Sequence, residues 1–233
     1  MEILVNHLTR MKERKRICIA GIDIDARTHV RPVTPPSDLL TRTLLAEEGG
    51  PLSVGAVVDI GEATPFPSPP ETEDHRISTV DIEFVRMVDG ETYLDVLATV
   101  AEPDLEAAFG PDLDRHEWKY TVDVGKGERS LAVVKAQRRA SLEVDDYGKL
   151  TLRFNDPDRP AFLSVTDVRF VGSDHQTIKG ETVLDVNKRL QRGVGVFVMF
   201  GLSRPFGPGG SEELHWLQVN GLCLEDEPIG ADP

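Results

Sequence analysis

Arg31 is the first residue of this chain whose surroundings suggest a chemical role, because a charged side chain is unusual in an apolar segment. Arg31 lies within residues 29–34, an apolar segment that predicts a strand. Burying an unpaired guanidinium is costly. We therefore expect Arg31 either to form a salt bridge inside the fold or to grip a phosphate or base edge with two hydrogen bonds. In the second case Asn6, Arg10 and Lys12, from the first strand and its exit, would share its binding face.

Aromatic side chains that could stack on bases form the second group of candidates. Each stacked base contributes about 1–3 kcal/mol in complexes with single-stranded nucleic acid. Phe66 and Phe206 lie in Pro/Gly-rich segments that predict loops, and Arg204 precedes Phe206 by two residues. The other aromatic candidates are Trp118, Tyr120 and Trp216. For each of these side chains, a place in the hydrophobic core is the alternative.

Two histidines, His75 and His215, occupy equivalent positions in two similar segments. We count both among the candidate nucleic-acid-binding residues, although repetition favours a repeated structural hydrogen bond over two catalytic bases. The six histidines and two cysteines have no Cys-x-x-Cys or His-x-x-x-His spacing, so the sequence predicts no metal and no other cofactor. Phosphate-loop and Gly-x-Ser-x-Gly motifs are absent. Their absence favours a non-enzymatic protein over the lesser alternative of a small hydrolase or transferase.

An internal repeat, at an offset of 140 residues, organises the elements that would position these side chains. Residues 54–66 match residues 194–206, and eight of the 32 positions across 54–85 and 194–225 are identical. Composition alone would give roughly two identities. We therefore interpret the chain as a duplication of one structural unit.

Each unit is predicted to contain about three strands, then a helix, then two final strands. The first helix is predicted at residues 37–49, capped by Ser37 and ended by Gly49, and the second at residues 181–192. This order is typical of the OB-fold. The sequence thus predicts a mainly β protein with a few short helices and two tandem OB-like five-stranded Greek-key barrels. The SH3-like barrel is the alternative, but it normally lacks the inserted helix.

The net charge of −14 is distributed unevenly along the chain. Residues 89–117 carry a net charge of −8, and the tail from residue 225 carries −4. This distribution argues against indiscriminate coating of nucleic acid but is compatible with a focused basic site. The alternative function is a protein-protein adaptor that engages a basic partner through its acidic segments. The expected segments are a barrel at 1–90, an acidic connector at 91–128, a barrel at 129–224 and a mobile acidic tail at 225–233.

Four short motifs resemble those of the bacterial dual OB-fold domain-containing family. They are ILVN at residues 3–6, ICIAGID at 17–23, HVRPV at 29–33 and HWLQV at 215–219. The resemblance spans nearly the whole chain. It implies a protein that binds nucleic acid or nucleotides as an accessory part of a larger system, such as anti-phage defence. His29 stands where this family often has a tryptophan, which weakens a base-stacking role at that position.

The sequence also indicates the cellular compartment of the protein and the kinds of partner it could bind. It contains no run of about 18 apolar residues that could span a membrane and no secretory signal peptide. Two cysteines are too few for a disulfide framework. We expect a cytoplasmic protein whose ligand is single-stranded nucleic acid or a nucleotide, with a partner protein as a further possibility and no membrane contact.

Overall fold

The fold is taken from a computed structural model of the chain. It describes every residue except 35–39, 79–80, 137–139, 146–147, 157–158 and 230–233. Ser37, the residue predicted to cap the first helix, therefore lies outside the described residues. Among those described, no helix is both long enough and apolar enough to cross a membrane.

The first half of the chain forms an eight-stranded sheet. Its strands are β1 (Glu2–Arg10), β2 (Arg16–Asp23), β3 (His29–Val33), β4 (Leu40–Thr41), β5 (Ala56–Asp59), β6 (Thr64–Pro65), β7 (Asp74–Arg76) and β8 (Glu83–Met87). The spatial order is β6-β7-β3-β2-β1-β5-β8, with β4 paired to β2. Most neighbours are antiparallel, but β3 and β7 are parallel, which places Arg31 opposite Asp74.

From residue 90 onward, the described residues form a six-stranded sheet, a three-stranded sheet and three α-helices. The elements are α1 (Gly90–Val100), β9 (Ala101–Glu102), α2 (Leu105–Phe109), β10 (Asp114–His116), β11 (Lys119–Asp123), β12 (Leu131–Lys135), β13 (Ser141–Val144), β14 (Leu150–Asp156), β15 (Arg159–Ser164), α3 (Gly180–Gln191), β16 (Val196–Leu202) and β17 (Leu214–Leu224). The larger sheet runs β10-β11-β17-β16-β12-β9 and the smaller runs β13-β14-β15. The prediction of a mainly β protein with a few short helices is confirmed.

The offset of 140 residues found in the sequence recurs in the structure. β5 and β16 begin at Ala56 and Val196, and the strands that follow the two equivalent loops, β7 and β17, begin at Asp74 and Leu214. The connecting loops also close alike, because the Phe66 N–H donates to the Asp74 carbonyl at 2.7 Å and the Phe206 N–H to the Leu214 carbonyl at 3.0 Å. The two loops are therefore equivalent in backbone geometry as well as in sequence.

The predicted first helix is wrong, whereas the second is confirmed as α3. Residues 40–48 instead form the short strand β4 and two 3-10 turns. Pairing of β4 with β2 buries Leu40, so tertiary pairing overrides a sequence pattern that is compatible with a helix. The predicted end of the segment is correct, since Gly49 adopts a φ of +87° that favours glycine.

The acidic segment after residue 90 contributes side chains to two hydrophobic clusters, the first through residues 93–97 and the second through residues 105–109. Its first part is α1, whose N-cap Asp89 accepts a hydrogen bond from the Thr92 N–H at 2.7 Å. Tyr93 and Leu97 of this helix are fully buried in the first hydrophobic cluster. That cluster also contains Phe197 of β16, so the two halves of the chain pack against each other.

The described part of the acidic tail is held by basic side chains. Lys135 Nζ lies 2.6 Å from Glu225 Oε1, and the Arg189 guanidinium pairs with both Asp226 and Glu227. These three carboxylates are thus neutralised within the chain itself.

Candidate functional site

A buried ion pair joins two strands of the first sheet. The Arg31 Nε donates to Asp74 Oδ1 at 2.5 Å, and both side chains are about 95% buried. The parallel pairing of β3 with β7 sets this contact by placing the two residues opposite each other. Of the two expectations for Arg31, the salt bridge inside the fold is the one observed.

Arg204 brings the second half of the chain to the same carboxylate. Its Nη2 donates to Asp74 Oδ2 at 2.7 Å, and its Nη1 lies 3.1 Å from Glu71 Oε1. His215 Nδ1 hydrogen-bonds to the Ser203 carbonyl at 2.8 Å and lies 3.4 Å from the same Glu71 oxygen. We call Arg31, Glu71, Asp74, Arg204 and His215 the junction cluster.

Glu73, which directly precedes β7, forms a second contact between this loop and the second half of the chain. One carboxylate oxygen accepts the backbone N–H groups of Ser130 and Leu131 at 2.8 and 2.9 Å, and the other accepts the Ser130 hydroxyl at 3.0 Å. Burial raises the pKa of Glu73, although these N–H donors and Arg31 act in the opposite direction. The carboxylate is therefore a buried acceptor that ties residues 71–74 to the start of β12.

Two histidines lie near arginine side chains, the buried His7 and the partly buried His29. The rings of His7 and His29 meet edge to face at 5.9 Å. Burial and the charge of Arg129 lower the pKa of His29 to about 4, and burial together with His29 and Arg31 lowers the pKa of His7. Both rings are therefore uncharged at neutral pH, which suits a buried position next to arginines.

The predicted residue Asn6 belongs to this interior rather than to an open binding face. The register of β1 on β2 shifts between Val5 and His7, so Asn6 sits in a β-bulge. Its side chain is fully buried, and its amide makes no hydrogen bond to any described residue.

Aromatic and basic side chains contact one another in pairs in the second half of the chain. The Trp216 Nε1 donates to the Phe206 carbonyl at 2.8 Å, and Lys119 Nζ lies 5.7 Å from the Trp216 ring centre. Next to Lys119, Trp118 packs edge to face on Phe162 at 6.0 Å. We call these five residues, together with Arg153, the aromatic track.

The solvent-facing parts of the aromatic track are suited to stacking. Phe206 is 55% exposed and Trp118 is 53% exposed. The Arg153 guanidinium lies 5.9 Å from the centre of the half-buried Phe162 ring, so cations flank the rings at cation–π distance. β14 and β15 set this contact by pairing Arg153 with Phe162.

The first half of the chain carries a smaller counterpart of the aromatic track. Phe66 is 43% exposed, and the Arg76 guanidinium lies 4.4 Å from its ring centre. Arg76 and Trp216 occupy equivalent positions of the repeat, so each loop phenylalanine is contacted by the third residue of the following strand. Asp74 contacts the loops of both phenylalanines, because its carbonyl accepts the Phe66 N–H and its carboxylate binds the Arg204 side chain.

The other predicted site residues are dispersed. Lys12 is exposed beyond the end of β1, and the half-buried Arg10 donates its backbone N–H to the Thr166 carbonyl at 2.8 Å. His75 Nδ1 hydrogen-bonds to the Glu73 carbonyl at 2.9 Å. The structure thus brings Arg31, Arg204 and His215 together in the junction cluster and Phe206 and Trp216 together on the surface. Tyr120 is a core residue.

A cleft of about 330 Å³ opens beside Lys119 and Phe162. Lys149 and Thr151 contribute to its wall, as does the acidic Glu143. Acidic and basic side chains therefore line the cleft together.

Several functional candidates escaped the sequence analysis. Glu71 and Asp74 lie in a loop and a short strand with no motif, and only the chain topology reveals their partners. Phe162 and Arg153 could have been noticed, because both alternate with core residues on strands. Within the described residues, no group of three or more His, Cys, Asp or Glu side chains converges on a site that could hold a metal.

Comparison with known proteins identifies one match. A family model described as a dual OB-containing domain matches residues 1–222. The comparisons with curated proteins and with solved structures gave no match.

Proposed function

The chain belongs to the dual OB-containing domain family, and we propose that it is a non-enzymatic binding module for single-stranded nucleic acid or a nucleotide. OB-folds that bind single strands combine aromatic stacking platforms with a positively charged groove. The aromatic track contains exposed aromatic rings and the cations Lys119 and Arg153. An accessory role in a larger system, such as anti-phage defence, is the wider setting that the family resemblance implies.

The observation that carries this proposal is the pairing of rings with cations along the track. Lys119 lies near Trp216 and Arg153 near Phe162, so two of the four rings have a cation close by that could bind the phosphate beside a stacked base. Phe206 and Trp118 leave about half of their surface open to solvent. Such an arrangement suits unpaired bases, because bases in a duplex do not expose their faces.

The overall charge of −14 is compatible with this proposal, because a focused basic site does not depend on the net charge of the whole chain. Glu225 and Asp226 are paired with lysine and arginine side chains, and Asp74 is shared between two arginines. The same pairing gives no support to the adaptor alternative from the tail residues. We expect few phosphate contacts and hence moderate affinity that falls as salt rises.

The test is fluorescence anisotropy with labelled single strands of DNA and RNA, about 15 nucleotides long to cover one OB-fold site, and the matching duplexes, at low and moderate salt. We expect saturable binding that prefers the single strands. Trp118→Ala and Phe206→Ala should each raise the dissociation constant about 5-fold or more, which corresponds to about 1 kcal/mol per lost stacking contact. Lys119→Ala should also make the salt dependence shallower by about one phosphate contact.

Leu184→Ala is the matched control, because Leu184 is an apolar side chain on α3 that is 61% exposed and lies outside the track. Its affinity should equal that of the unchanged protein. Absence of binding at low salt would refute the proposal, and so would equal affinity for duplexes. If Trp118→Ala and Phe206→Ala both bind normally, nucleic acid binds elsewhere and the track is not the site.

A further inference from the structure

The last strand of the first sheet, β8, is open along its whole length. All five of its residues are exposed, whereas the neighbouring β5 is largely buried. Phe84 is 53% exposed, and Val85 and Met87 are each 42% exposed. β8 pairs with β5 on one side, and no described strand pairs with its other edge. An exposed apolar edge strand of this kind is a template for pairing with another strand.

A bulge in β8 determines which face each side chain occupies. Arg86 pairs with Val57 and Phe84 pairs with Val58, so Val85 is the extra residue. Directly paired residues of an antiparallel sheet point to the same face, and neighbours along β5 point to opposite faces. Phe84 and Arg86 are therefore on opposite faces of the sheet, although only one residue lies between them.

The same register sorts the charges from the apolar side chains. Glu83 pairs with Asp59, and Met87 pairs with Ala56. It follows that Glu83 and Arg86 share one face, while Phe84 and Met87 share the other. An acid and a base thus flank the bulge on one face, and the phenylalanine lies between them on the opposite face.

We propose that β8 pairs antiparallel with β8 of a second copy of this chain, around a two-fold axis near Phe84. A two-fold axis perpendicular to the sheet keeps each side chain on its own face. Glu83 of each copy then lies next to Arg86 of the other, and the two Phe84 rings lie opposite each other. The edge is self-complementary in charge, which favours a second copy over an unrelated peptide.

The length of the edge sets the strength of this association. A five-residue strand pair with a few side chains buries less than the roughly 1,000 Å² that stable interfaces exceed. The dimer is therefore weak and reversible, and its formation depends on protein concentration. It adds to the proposed binding function without using the aromatic track, because β8 lies at the edge of the other sheet.

Charge reversal tests the pairing directly, by sedimentation velocity over about 5–500 µM protein, the range expected for a weak interface. Glu83→Lys brings a lysine next to Arg86 at two places in the dimer, and Arg86→Glu brings a second acid next to Glu83 at the same two places. Each variant alone should raise the dimer dissociation constant about tenfold or more. An equimolar mixture of the two variants pairs the new lysine with the new glutamate, and should form a heterodimer more readily than either variant forms a homodimer.

Two further variants serve as controls for this experiment. Glu212→Lys changes the net charge by the same amount as Glu83→Lys at another exposed position and should leave dimerisation unchanged. Phe84→Ala should weaken it, whereas Leu184→Ala should not. A chain that is monomeric at about 500 µM, the upper end of that range, would overturn the proposal. Dimerisation that resists both charge reversals would do the same, as would reversed variants that fail to associate when mixed.

Discussion

Asp74 is the residue whose removal should reveal how the two halves of the chain are joined. Its carboxylate binds the buried Arg31 at 2.5 Å and Arg204 at 2.7 Å. Asp74→Asn keeps the size and shape of the side chain but removes its charge. Arg31, with only 6% of its side chain exposed, would then be a buried guanidinium without its counter-ion.

The expected loss follows from this burial. Two unit charges about 4 Å apart interact by about 4 kcal/mol at an effective dielectric constant near 20, and breaking one partner of a buried ion pair typically costs about 3–5 kcal/mol. We expect Asp74→Asn to lower the free energy of unfolding by about 4 kcal/mol. Arg204→Ala should cost less, about 1–2 kcal/mol, because 37% of that side chain is exposed to solvent.

Urea unfolding followed by circular dichroism measures these losses, with Asp123→Asn as the matched control. Asp123 pairs with Lys126 at the same 2.7 Å, but both side chains are about half exposed, so its replacement should cost less than about 1 kcal/mol. The double variant Arg31→Met with Asp74→Asn should be more stable than Asp74→Asn alone. The second substitution removes the guanidinium that Asp74→Asn leaves buried and unpaired. If Asp74→Asn costs no more than Asp123→Asn, the buried pair does not stabilise the fold as argued.

Two other predictions concern neighbouring buried groups. Glu73→Ala should cost about 3 kcal/mol in urea unfolding, because it leaves the N–H groups of Ser130 and Leu131 without an acceptor. Glu73→Gln should cost much less, since its amide oxygen still accepts both, and equal losses would contradict this role. The lowered pKa of His29, about 4, means that below about pH 6.5 the unfolded chain binds a proton that the folded chain does not. Stability should therefore fall by about 2–3 kcal/mol between about pH 6.5 and 4, and His29→Gln should flatten this decline in unfolding curves recorded at several pH values.

The repeat is the feature of the fold that the sequence predicts best. Aligning residues at an offset of 140 places the starts of β5 and β16, and of β7 and β17, at matching positions. β5 and β16 were predictable because each is a short apolar run that follows a glycine, whereas β7 and β17 follow from the repeat. The failed helix at residues 40–48 shows the limit of such local reasoning. The apolar spacing around Leu40 is compatible with a helix, but pairing with β2 decides its conformation.

The contacts of the candidate site also divide into those that the sequence could predict and those that it could not. Phe206 and Trp216 were predictable as neighbours of one loop and strand, because both elements can be read from the repeat. The partners of Arg31 were not, since Asp74 reaches it through a parallel pairing of strands whose paired residues lie 43 positions apart. No pattern in either segment encodes that pairing. The two charges meet only because packing of the whole core determines that β3 pairs with β7.

The buried junction and the exposed track are mechanically connected through one residue. Asp74 accepts the backbone N–H of Phe66 with its carbonyl and the guanidinium of Arg204 with its carboxylate. Arg204 lies in the loop that carries Phe206, so a single residue holds both phenylalanine loops in place. Since side chains that stack on a ligand must be fixed before binding to avoid an entropic cost, the buried charges are best understood as supports for the surface that binds. Asp74, although acidic, thus supports the proposed site from within the fold.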